Sequence, residues 1–146
     1  MRQLNLDKLF SLFDIQSQEL YKQYDMEDVL DNPFVLMGEV VNGLSNYYMI
    51  DVIYQQKYPQ LYKNVREKFK YKFFNRLVKT LERIDTTKFE TIYTISSSYD
   101  SDEVYNCLSD LLFYFEDLEE YEKCKIIKDY MDHLLDTNFS KIYQSP

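Results

Sequence analysis

Four ionisable side chains near the end of the chain, Asp129, Asp132, His133 and Asp136, stand at i, i+3, i+4 and i+7. On a helix this spacing gathers them on one face, where carboxylate oxygens could converge on a divalent cation if a neighbouring helix supplied more oxygens. Acids on the outer face of a terminal helix arise by default, so no metal is expected. His133 is the single histidine, which excludes a histidine-rich metal centre. Cys107 and Cys124 lack CxxC spacing and lie on apolar helical stripes, so they are expected to be buried free thiols. A tyrosine or cysteine could act as a nucleophile, but none has a base beside it in sequence. There is no GxGxxG, P-loop, HExxH, GxSxG or EF-hand loop. No catalytic residue and no cofactor is assigned, and a protein that is not an enzyme is expected.

The clearest electrostatic feature is basic. Lys68, Lys72, Arg76, Lys79 and Arg83 fall within an arc of roughly 80° if each residue turns a helix by about 100°. Residues 57–88 hold ten Lys or Arg against Glu67, Glu82 and Asp85, while the whole chain carries a net charge of −8. Such a stripe is a solvated face, an internal counter-charge to the acidic ends, or a docking strip for an anionic partner. The overall charge weighs against direct nucleic-acid binding, because phosphate would be repelled from both ends.

These residues need elements to carry them. At 146 residues the chain fits one domain, residues 1–146, large enough to bury a core. Hydrophobic residues at 45% and aromatic residues at 17% exclude a disordered chain. Two Gly and three Pro leave few turn makers, which disfavours a hairpin-rich β protein. The fold class expected is all-α, a single compact helical domain of about five to seven helices ending in a helical hairpin. Ala is absent although it is the best helix former. With abundant Tyr, Phe, Asn, Ile and Lys, that absence reads as AT-rich coding, which suits a phage or a low-GC bacterium. No basic n-region with an apolar core opens the chain, and no run approaches the roughly 18 apolar residues of a membrane span. A cytoplasmic protein without a membrane partner is expected, in the host cytoplasm if phage-encoded.

Leu6, Leu9, Phe10, Phe13, Leu20, Tyr21 and Tyr24 keep a helical period over residues 5–24. A short turn of helix at residues 25–31 follows, and Asn32-Pro33 then supplies a cap and a first helical residue. Residues 34–57 are apolar nearly all round and should lie centrally, as one helix or as two broken near Gly43. A helix over residues 60–84 buries Phe69, Phe73, Phe74, Leu77, Val78, Leu81 and Ile84 and carries the basic stripe. Thr87 and Glu90 suggest a capping box for a short helix turning Phe89, Ile92 and Tyr93 inward, with Ser96 to Ser98 as a loop.

The cleanest period belongs to the hairpin at residues 101–136. Val104, Cys107, Leu108, Leu111, Leu112, Phe115 and Leu118 share one helical face, and Tyr121, Cys124, Ile127, Met131 and Leu134 or Leu135 share the next. Asp100 with Glu103, and Asp117 with Glu120, fit capping boxes that start helices near 101 and 118. Residues 120–131, EYEKCKIIKDYM, with Leu134 following, resemble the second helix of the UVR motif. That motif is the helical hairpin of the UvrB and UvrC repair proteins and of some bacterial protease and kinase adaptors. Lys125 stands where the family prefers a small residue, and Phe115 and Glu116 where its first helix has alanines. The resemblance implies a hairpin that docks onto another protein and catalyses nothing.

The function expected is a non-catalytic protein–protein interaction module, an adaptor or inhibitor of a larger machine, including a nucleic-acid-processing one. Tyr114 and Tyr130 would be its surface aromatics, and Glu119, Glu120, Glu122 and Lys123 its polar rim, since aromatic anchors inside a charged border give small interfaces their affinity. The alternatives are a nucleic-acid-binding protein using Lys68, Lys72, Arg76, Lys79 and Arg83, or a structural subunit of a phage particle.

Overall fold

A computed structural model describes residues 31–135; the helix expected over residues 5–24, most of the turn after it, and Asp136 lie outside them. Five α-helices follow in order: α1 (Pro33–Lys57), α2 (Pro59–Glu82), α3 (Phe89–Ser98), α4 (Ser101–Asp117) and α5 (Tyr121–Leu135). The described residues contain no strand, and the protein is all-α. No helix among them is long and apolar enough to cross a membrane.

The side chain of Asn32 accepts the Phe34 N–H at 2.9 Å, and Pro33 opens α1 where its missing N–H costs nothing. The helix runs unbroken through both glycines, so residues 33–57 form one element. A Cβ at Gly38 would lie 2.8 Å from the Tyr99 hydroxyl, and one at Gly43 would lie 2.8 Å from Leu77 Cδ2. The glycines thus let a neighbour close onto α1 and do not break it. Leu36, Met37, Val40, Val41, Leu44 and Tyr47 are buried, and α1 packs on α2, α3 and α4. Its second half is not buried all round as the sequence suggests. Tyr47 and Asp51 take the inward positions there, which turns Met49 (56% exposed), Val52 and Ile53 outward.

Asp51 fastens α1 to α2. Its carboxylate is buried and accepts from the Tyr62 hydroxyl at 2.7 Å, from Gln55 at 2.8 Å, and from Arg66 through Nε at 2.9 Å and Nη2 at 3.0 Å. Burial pushes the carboxyl pKa up, but the hydrogen bonds from Arg66 and Tyr62 outweigh it and hold the group below its ordinary range. Above this tie the two helices share aromatic packing. Tyr47 meets Phe74 edge-on at 5.1 Å and also touches Phe69 and Phe73. All seven residues expected inside α2 and its exit, from Phe69 to Ile84, are buried.

The link to α3 departs from the expected capping box. Asp85 accepts the Thr87 N–H at 3.0 Å, and α3 starts at Phe89 with Lys88 as an N-cap residue that makes no side-chain cap hydrogen bond. Packed on α1 and α5, the helix buries Thr91 and Ile95, while Phe89 and Tyr93 are more than half exposed and stack on each other at 6.3 Å. Ser96 to Ser98 continue the helix instead of forming a loop. Ser97 donates its hydroxyl to the Tyr93 carbonyl at 2.7 Å, which occupies a side chain that would otherwise compete with the backbone.

In α4, Asp100 caps the helix by accepting the Asp102 N–H at 3.0 Å. Val104, Cys107, Leu108, Leu111, Leu112 and Phe115 are buried against α1 and against α5, from which Cys124, Ile127 and Leu134 enter the core. Both cysteines are free and buried, one on each helix of the hairpin. Burial, helped by Asp110 and Glu103, pushes the Cys107 thiol up to about 12.

Two outcomes check this account. Leu111→Ala, at a fully buried position, lowers stability by about 2–5 kcal/mol in denaturant titration, through lost burial plus a residual cavity. The Asp51 carboxyl has a folded pKa below its unfolded one, so it stabilises fully above the unfolded value and loses that contribution as pH falls through the depressed folded value. Stability measured from about pH 6 downward should therefore fall less steeply in Asp51→Asn than in the wild type, with the difference confined to below about pH 5.

Candidate interaction surface

The turn between α4 and α5 is built from backbone hydrogen bonds. Glu120 N–H donates to the Phe115 carbonyl and Glu119 N–H to the Glu116 carbonyl, each at 3.0 Å, which is a Schellman motif closing α4 at Leu118. Glu119 adopts a positive φ of 59°, where glycine is usual. The link is thus Leu118 to Glu120, and α5 begins at Tyr121. Asp117 is the last residue of α4, so it does not cap α5 as its spacing with Glu120 suggests.

This stop changes which side chains face outward. Leu118 and Tyr121 continue the apolar stripes in sequence, yet Leu118 is 45% and Tyr121 67% exposed. The helical period breaks between them, and the turn carries both away from the core. Asp117, Glu119 and Glu122 beside them are exposed. Phe113, 61% exposed, adds an aromatic ring on the outer side of α4. Sequence periodicity misses Leu118 and Tyr121 because it assigns a face and is blind to where the helix ends.

The expected surface aromatics are drawn inward instead. Tyr114 is half-buried, edge-on to Phe74 at 4.7 Å, with the Lys70 ammonium 5.0 Å from its ring centroid. Tyr130 is half-buried and donates its hydroxyl to the Ile84 carbonyl at 2.8 Å, satisfying a backbone group just beyond α2. Long side chains on a helix flank reach the neighbouring helix, and these two found partners there.

Glu120 and Lys123, expected in a polar rim, form an internal cluster with Tyr71 of α2. The Tyr71 hydroxyl donates to Glu120 Oε1 at 2.8 Å, and Lys123 Nζ donates to the Tyr71 oxygen at 2.8 Å and to Glu120 Oε1 at 3.1 Å. The ammonium also lies 4.7 Å from the Tyr71 ring centroid and 5.1 Å from that of Phe115. Burial alone would push Glu120 up and Lys123 down; the mutual hydrogen bonds outweigh it, so the carboxyl sits below and the ammonium above its ordinary range. A lysine held this firmly charged is a brace between α2 and the hairpin and a poor nucleophile. Of the six expected contact residues, Glu119 and Glu122 are exposed and four are tied into the scaffold.

The basic stripe runs along α2 as expected. Lys68, Lys72, Lys79 and Arg83 are exposed and Arg76 is half-buried. Arg83 pairs with Asp31 at 3.1 Å, and neither Lys72 nor Arg76 is without a partner. Among the described residues no three His, Cys, Asp or Glu side chains are placed to hold a metal ion, and His133 Nδ1 contacts the Asp129 carbonyl at 2.5 Å. No protein-family model, curated protein or solved structure matches the chain.

Lys123→Ala, which removes two hydrogen bonds and two ring contacts, lowers stability by about 1–3 kcal/mol. The exposed Glu122→Ala changes it by no more than about 0.5 kcal/mol. Glu119→Gly raises stability by about 0.5–1 kcal/mol, because it relieves a left-handed backbone at the C′ position. Chemical denaturation of the three variants beside the wild type checks all three values.

Proposed function

We propose that this protein is a non-catalytic protein–protein interaction module, an adaptor or inhibitor of a larger assembly, and that it docks through the tip of the α4–α5 hairpin. The observation that carries the reading is the outward placement of Leu118 and Tyr121 on a backbone-locked turn, bordered by Asp117, Glu119 and Glu122. A large aromatic and an aliphatic side chain held rigidly inside an acidic border lose little entropy on binding. They fit a partner pocket that is apolar at its centre and lined with Lys or Arg at its edge. The resemblance of residues 120–131 to the UVR hairpin supports the same reading, since that family's hairpin docks onto other proteins. Tyr114, Glu120, Lys123 and Tyr130 then set the angle at which the tip is presented, while Glu119 and Glu122 contribute to the rim.

The test is an affinity capture from a bacterial extract with the wild type and with Leu118→Ser/Tyr121→Ser, followed by titration of the purified partner. A partner bound by the wild type should be lost by the tip variant, whose melting temperature stays close to that of the wild type because both side chains are exposed. It should be retained by Lys68→Glu/Lys79→Glu. A folded tip variant that binds that partner normally overturns the proposal.

A further inference from the structure

The outward face of α1 carries no charge. Asn42, Asn46, Met49, Val52, Ile53 and Gln56 are exposed and recur at three- and four-residue steps, within an arc of about 120° and over about 21 Å of helix. The charged residues of the helix, Glu39, Asp51 and Lys57, fall outside that arc. Met49, Val52 and Ile53 form the apolar centre of the face, and side-chain amides stand at both ends. The Tyr48 hydroxyl donates to Asp110 at 3.3 Å, which joins this face to α4. One turn farther along each helix lie Val52 and Phe113, both more than half exposed. Tyr48, Met49, Val52, Ile53 and Phe113 together expose roughly 450 Å² of side chain, a size at which a patch on a monomer is often functional.

We propose that this face is where two copies of the chain pair, as a reversible twofold dimer with the α1 helices antiparallel. Charge selects the occupant. A chain of net charge −8 repels its own copy, and the other described helices each turn charge outward, at Lys79, Glu90, Glu103 and Glu122. On α1 two copies meet without burying any ion, whereas a charged partner of another kind gains nothing from a face that has no charge to match. The order of residues is self-complementary. With the twofold axis beside Ile50 and Asp51, Met49 of one copy meets Val52 and Ile53 of the other, and Asn46 meets Gln56. The amides can donate and accept across the pair, and the antiparallel setting opposes the two helix dipoles. Area sets the strength. The apolar patch and its polar ends come to about 700–800 Å² per copy, near the lower bound of a standard interface and about 60% apolar, as such interfaces are. The dimer should therefore dissociate in the micromolar range, at about 1–100 μM. It forms whatever the hairpin tip binds.

Sedimentation velocity of the full-length protein from about 1 to about 500 μM tests the pairing. The average mass should rise with concentration from that of the monomer toward twice that value. Val52→Glu and Met49→Lys each set like charges across the twofold axis and should each weaken the dimer by about tenfold or more. An equimolar mixture of the two variants should regain a dimer within about fivefold of the wild type, because opposite charges then face each other; regain also shows that both variants are folded. Leu118→Ser/Tyr121→Ser should dimerise as the wild type does. A wild type that stays monomeric at every concentration, as it would if the face served a different protein or the chain's own remaining residues, overturns the proposal. So does a dimer indifferent to both charge variants, or a mixture that pairs no better than either variant alone.

Discussion

The Asp51 carboxylate is the constraint on which the arrangement of the helices depends. A charge taken out of water costs several kcal/mol unless its lone pairs are filled, and here four donor nitrogen and oxygen atoms from Gln55, Tyr62 and Arg66 fill them. Two of those residues belong to the next helix, so sliding α2 by one turn would leave the carboxylate unpaired. An apolar contact surface tolerates such a slip far better, since Leu and Phe side chains can repack. Asp51 therefore fixes one register between α1 and α2, and Gly43 with Leu77 sets their closeness farther along. Because α1 also carries α3 and α4, an error in this register would spread through the whole bundle.

A chain without alanine has to fill its interior with large side chains, and tyrosine does much of that here. A buried or half-buried tyrosine brings a hydroxyl along with its ring, and four of these hydroxyls reach partners on other elements. Tyr62 reaches Asp51, Tyr71 reaches Glu120, Tyr99 reaches the Phe34 carbonyl and Tyr130 reaches the Ile84 carbonyl. The aromatic content thus supplies both apolar area and a set of directional cross-links between helices. Lys70 and Lys123 lie over the remaining ring faces, which lets two charges sit near the core with their stems packed.

The sequence made the all-α class readable because its stripes are long: Phe69 to Ile84 and Val104 to Phe115 are inside as their spacing requires. Asn32-Pro33 and Asp100 were readable as helix starts because capping is local chemistry. Features set by tertiary contact were not. Nothing in the spacing of Tyr114 or Tyr130 says that another helix offers a ring or a carbonyl within reach. The outward turn of Leu118 and Tyr121 depends on a left-handed Glu119, a conformation few would assign to that residue type. Asp51 did leave a signal, as one of two carboxylates, with Glu39, in an otherwise apolar helix with Tyr62 and Arg66 downstream, but choosing its partners needs the α1–α2 pairing itself.

The burial of Cys107 and Cys124 makes the chain its own kinetic probe. A thiol reacts with alkylating reagents as the thiolate, and both groups are shielded by protein, with Cys107 also held far above the pH of ordinary labelling. Modification must then wait for the hairpin to part from α1 or for α4 to part from α5. The rate of labelling at each cysteine counts those openings, one sulfur reporting each helix, without any foreign group in the folded protein.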